Sequence, residues 1–227
     1  MSGMASLRSA NVFRTKNFVF GFIAVMALYV LYHFESFLID WSLPVWSHYQ
    51  VLGVFLLTHG VAGATAMILA PMQFSDRLRV RFTKLHRVVG RIYVTAALIL
   101  APFGVYTQWL DERLGIFPHS FTIETFIQAS ILMITTGVGL VFALKRMIPQ
   151  HRQWMFRSYA AALTFLEIRI VLGLTGWDHD PVMTETVVWC FTATAVLVGD
   201  IANQIYELQS MRPRATRSPA IQAVAAE

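Results

Sequence analysis

Charge is what this sequence has least of. Only 14% of its 227 residues are Asp, Glu, Lys or Arg, where a soluble domain carries about 25%. It has a single cysteine, Cys190, so an intramolecular disulfide is excluded and thiols say nothing about redox compartment. No phosphate-cradling loop, nucleophile elbow or zinc-protease helix motif occurs, which removes the motif-borne nucleotide-binding and hydrolase readings. What is present is apolar. Hydrophobic residues make up 56% of the chain, in runs long enough for a bilayer. The net charge of +5 does not argue for nucleic acid, because the basic residues are sorted by loop.

Six runs approach the ~20 residues that cross a hydrocarbon core: roughly 17–34, 49–72, 86–108, 121–144, 153–176 and 182–206. No small-x-small cleavage site follows the first run, and Tyr32, His33, Phe34 and Glu35 suit an interface anchor. That run is therefore predicted to be an uncleaved span rather than a signal peptide. Arg8, Arg14 and Lys16 precede it. Arg77, Arg79, Arg81 and Lys84 lie between the second and third runs, Lys145, Arg146 and Arg152 between the fourth and fifth, and Arg212, Arg214 and Arg217 in the tail. The alternate loops hold Arg113 alone, beside Glu35, Asp40, Asp111, Glu112, Asp178 and Asp180. Basic loops stay cytoplasmic, so the pattern predicts an all-α polytopic membrane protein, a bundle of six transmembrane helices with both termini inside (N-in/C-in). Residues 1–16 form a cytoplasmic segment, 17–208 the transmembrane domain and 209–227 a polar, Ala-rich tail expected to be disordered. Trp41, Trp46, Trp109 and Trp177 fall near the outer ends, as an aromatic belt does.

Ionisable residues at membrane depth are costly and mark function by default. His86, Gly90 and Tyr93 share one face of the third span. On the fifth, His151, Met155, Ser158, Ala162, Phe165 and Arg169 follow at steps of three or four, which predicts a bundle-facing stripe about 27 Å long. His86 and His151, with Arg87 and Arg152 beside them, read in two ways. One is interfacial capping and headgroup contact. The other is a pair of axial haem ligands with arginines for the propionates, Gly90 letting a flat cofactor or another helix approach. His59, flanked by Gly60, Gly63, Ala64 and Ala66, is either a satisfied core residue or a cofactor or quinone contact. Counted inward, it lies at a depth similar to Arg169, Glu124 and Gln128; with Glu167, which points away from the Arg169 stripe, these suggest an outer-half polar cluster of His59, Glu124, Glu167 and Arg169 in which Arg169 is an ion-pair member or a ligand anchor. Asp200, Asn203, Gln204 and Glu207 form a polar stripe at the inner end of the last span. Asp178-His179-Asp180, with His33, His48 and His119 on the same side, would bind a metal only if these residues converged.

The segments HGVAGATAMILAPMQF, LRVRFTKLHRVVGRIYV and HRQWMFRSYAAALTFLEIR resemble the bacterial "predicted membrane protein" family known as domain of unknown function 2306, over roughly residues 50–175. That resemblance implies a multi-span inner-membrane protein and carries no reaction with it. A second resemblance is to the six-helix transmembrane b-type cytochromes, which place one histidine on each of four central helices. His59, His86, His119 and His151 follow that order. The resemblance implies an inner haem b at His86 and His151 and an outer one at His59 and His119. The outer pair departs from the pattern, because His119 follows Pro118 at the helix mouth while His59 is about 10 Å deeper. Haem A synthases likewise carry a His-Arg pair near a helix end.

The sequence thus predicts an inner-membrane haem protein in electron transfer with a quinone. The alternatives are a haem-free small-molecule or proton-coupled transporter built on His59, Glu124, Glu167 and Arg169, or an accessory subunit of a larger membrane complex. Its surroundings are lipid, and nucleic acid is not expected.

Overall fold

The computed structural model of the chain describes residues 18, 20–34, 40 and 53–211. The segment 1–16, the tail from 212 and residues Glu35, Trp41, Trp46 and His48 lie outside the described residues. Among the described residues there is no strand. The helices are α1 (Phe20–His33), α2 (Gly53–Gln73), α3 (Asp76–Arg81), α4 (Thr83–Arg113), α5 (His119–Leu144), α6 (Ile148–Thr175) and α7 (Pro181–Met211). A 3-10 turn, Trp177–His179, joins the last two.

Helices α2, α4, α5, α6 and α7 are each long and apolar enough to cross a bilayer, and the chain is a polytopic integral membrane protein. Within the described residues α1 is shorter than the ~20 residues a crossing needs, so the predicted first span is present only as this shorter apolar helix. Helix α4 overruns the predicted 86–108 at both ends. Lys84, Arg87, Arg113 and their neighbours have side chains long enough to reach the interface while the backbone stays helical. The basic segment between α2 and α4 is not a plain loop, because the Ser75 hydroxyl accepts from the Leu78 N–H at 3.3 Å and starts α3. Helix α6 ends at Gly176, whose φ of 70° is the left-handed cap that glycine adopts without strain.

Helix α4 packs against α2 on one side and α5 on the other; α6 packs against α5 and α7 and also touches α2. Small residues let the backbones approach. Ala66 and Ala70 of α2, Ala96, Ala97 and Ala101 of α4, Ala129 of α5, and Ala161 and Ala162 of α6 are core residues around the buried Tyr93 and Tyr159. Helix α1 joins through Val30, which packs with Met67 and Leu166.

Candidate functional site

The α2 end, the α4 start and the first turns of α6 meet at the end of the bundle that carries the basic loops. His86 lies one turn before Gly90, and a Cβ on Gly90 would stand 3.1 Å from Gln73 Oε1, so the end of α2 lies against this face. His151, Arg79 and Arg87 are the ionisable groups near enough to act on the His86 ring. The spacing argument paired His86 with His151, and the fold brings them to one region. His151 Nδ1 lies 2.8 Å from the Gly139 carbonyl of α5. A carbonyl only accepts, so Nδ1 carries a proton, and in the neutral ring Nε2 keeps its lone pair. That arrangement orients histidines that bind metal.

Several polar atoms here are buried without a hydrogen-bond partner: Gln73 Nε2, His86 Nδ1, Arg152 Nε and Tyr159 OH. Buried polar groups are nearly always paired; others without a hydrogen-bond partner lie elsewhere in the bundle, Gln108 Nε2 and Gln128 Oε1 among them. The four at this end are held by neighbours that cannot satisfy them. The Phe74 ring lies 5.6 Å from Tyr159 and 4.8 Å from Phe156, and the Arg152 guanidinium sits 4.3 Å over Tyr206. Just inside, Tyr93 OH and Ser158 Oγ share a 2.8 Å hydrogen bond, and Ser158 shares another of 2.7 Å with Thr136 Oγ1. The arginines differ: Arg87 is exposed, while Arg152 is half-buried.

The outer candidates are arranged differently. His59 Nδ1 donates to the Leu100 carbonyl at 3.0 Å, and its ring lies so close to α4 that a Cβ on Gly104 would stand 2.7 Å from Cε1. His119 is at the mouth of α5, exposed, bonded to Glu112 at 2.8 Å. Along α4, Gly104 and Glu112 are about 12 Å apart, so His59 and His119 are bonded to different stretches of that helix, with His119 at the start of its own helix after Pro118.

The proposed outer cluster also divides. Arg169 is near enough to act on His59 and lies over Phe34 and Phe165, at 5.6 and 5.2 Å. Glu124 faces the other way, accepting from Thr192 of α7 and from Thr125. Among the described residues, neither Glu124 nor Glu167 is ion-paired to Arg169. Glu167 and Arg169 are two residues apart, roughly 200° around the helix, so they point apart. The described residues contain no group of three or more His, Cys, Asp or Glu that could hold a metal ion, the Asp178-His179-Asp180 run included.

Sequence reasoning missed Gln73 and Tyr159, and it missed Arg157, which meets Asp200 at 2.5 Å and lies 4.7 Å from the Trp154 ring. A charge in an apolar run six residues past His151 was the available signal. A groove of about 590 Å³ opens between α4 and α5, lined by Pro102, Tyr106, Trp109 and Phe126 among others. It contains none of the candidate residues.

Residues 56–202 match the model of a family described as predicted membrane protein (DUF2306). No curated protein matches the chain, and no solved structure does.

Proposed function

The chain belongs to the family described as predicted membrane protein (DUF2306), and from that premise we propose that it is a b-type haem protein of the bacterial inner membrane. His86 and His151 would hold the haem, Arg87 and Arg152 would pair with its propionates, and both termini would be cytoplasmic. A haem held by two imidazoles supplies a one-electron carrier, here in exchange with a quinone. The observation that carries the reading is the inner end of the bundle. There the His151 ring is fixed through Nδ1, close enough to act on His86, among four buried polar atoms without a hydrogen-bond partner. The donor set fits the group: two imidazoles, a guanidinium with a free Nε, and further donors on Gln73 and Tyr159. The chain's own part is to orient His151 from the Gly139 carbonyl; the space beside Gly90 is taken by Gln73 of α2. The orientation of the termini rests on the basic residues of the inner loops.

The test is an absorbance spectrum of the detergent-purified protein, expressed with haem supplied, oxidised and then reduced with dithionite. Sharp reduced bands of a b haem are expected in the wild type and are lost in His151→Ala and His86→Ala, while His119→Ala keeps them. A colourless wild type, or a His151→Ala spectrum identical to it, overturns the assignment.

A further inference from the structure

Starting from its first turn, α5 carries Ser120, Glu124, Gln128, Leu132 and Thr136 at steps of four. Such steps keep side chains on one slowly drifting face. Every polar member reaches across to another helix. Ser120 donates to Glu185 of α7, and Thr192 of α7 donates to Glu124. Gln128 donates to Thr164 of α6 and, at 2.6 Å, to the Ala161 carbonyl. Thr136 meets Ser158 of α6, and Ser158 meets Tyr93 of α4, at 2.7 and 2.8 Å. Beyond them the Gly139 carbonyl receives His151. Ser120 to Gly139 spans about 28 Å of helix, close to the ~30 Å of a hydrocarbon core. Leu132 alone breaks the line. It is 5% exposed and sits in the alanine-rich core with Ala129, Ala161 and Ala162.

Hydroxyl and amide contacts of this kind often serve only to join helices. Glu124 does not fit that role. It is an ionisable group 3% exposed, held by hydroxyls alone, where a threonine would join the helices without the cost of a buried acid.

We infer that this line is a proton path across the bundle, made of hydrogen-bonded polar stations set one turn of α5 apart, with Leu132 as the one apolar step. The outer stations are Ser120 with Glu185, Glu124 with Thr192, and Gln128 with Thr164. The inner station is Thr136, which leads through Ser158 to Tyr93. A hydroxyl passes a proton by accepting one on its lone pair and releasing its own. Glu124 takes a proton on one carboxyl oxygen and gives one up from the same group, so no electron moves and no other reactant is consumed. Along α5 the polar stations stand about 6 Å apart, but Gln128 and Thr136 are about 12 Å apart across Leu132, which makes the Leu132 layer the barrier. The path needs no haem, so it stands or falls apart from the redox assignment.

The full-length protein would be reconstituted in phosphatidylcholine vesicles with pyranine trapped inside, and proton uptake followed under a potassium diffusion potential set with valinomycin. Leu132→Ser is expected to raise uptake several-fold over the wild type, and Leu132→Ser/Glu124→Gln to return it to the wild-type rate. Leu132→Thr, closer in volume, replaces the serine variant if that does not elute like the wild type. Uptake that does not rise in a correctly eluting Leu132 variant overturns the path, and so does a rise that survives Glu124→Gln.

Discussion

Gly199→Ala is expected to drive α7 off α6 and to lower stability by about 1–3 kcal/mol, the usual cost of an overpacked contact. A Cβ at Gly199 would stand 2.7 Å from Arg157 Cα, 3.1 Å from Arg157 N and 3.2 Å from the Phe156 carbonyl oxygen. All three are backbone atoms of α6, so no side chain can rotate away and the two helices must separate. The adjacent contact then suffers, because Asp200 meets Arg157 at 2.5 Å and that geometry depends on the same approach. Splitting a fully buried ion pair costs about 3–5 kcal/mol. Here the side chains are 23% and 37% exposed, so only a fraction of that adds. Gly137→Ala is the matched control. Nothing lies within 4 Å of its added methyl, and alanine is favoured over glycine in a helix by roughly 0.5–1 kcal/mol. The midpoint of thermal unfolding in detergent should fall for Gly199→Ala and hold or rise for Gly137→Ala. Equal midpoints would mean that α6 and α7 are not in the contact described.

Ser158→Ala should be the second most damaging substitution, and its effect should be recovered in part by a further change elsewhere. Ser158 is fully buried and bonds both Tyr93 and Thr136. Removing its hydroxyl strands two others in the core, and an unsatisfied buried polar group costs about 1–3 kcal/mol. Hydrogen bonds inside membrane bundles average nearer ~0.6 kcal/mol, which brings the expected total to roughly 1–3 kcal/mol. Tyr93→Phe removes one of the stranded groups, so Ser158→Ala/Tyr93→Phe should lose less than the sum of the single changes. Additive losses in a double-mutant cycle would show that the two hydroxyls do not interact.

Much of the inward-facing surface was legible in the sequence. The stripe on α6 from His151 to Arg169 came from spacing alone, and Ser158 and Ala162 within it are buried, at 0% and 6% exposure. His86, Gly90 and Tyr93 likewise lie on one side of α4, with Tyr93 1% exposed. Periodicity tells which residues of one helix point the same way. Depth counting did less well, because it ignores rotation. His59, Glu124 and Arg169 were grouped by depth, yet Glu124 turns to Thr192 on α7 while His59 turns to Leu100 on α4. The partners were not legible either. Nothing in the sequence said that Gln73 would reach Gly90, that His151 would find the Gly139 carbonyl, or that Arg157 would meet Asp200.

By itself, then, the sequence determined that this is a helical membrane protein, where its apolar runs lie and which faces of α4 and α6 turn inward. Those follow from the cost of charge in hydrocarbon and the fixed pitch of a helix, which act on each segment separately. Only the tertiary structure decided which polar groups meet. Contact between two helices depends on their relative rotation and depth, and here these are set by where glycine and alanine allow close approach: Gly104 beneath His59, Gly139 beside Met155 and Gly199 against Arg157.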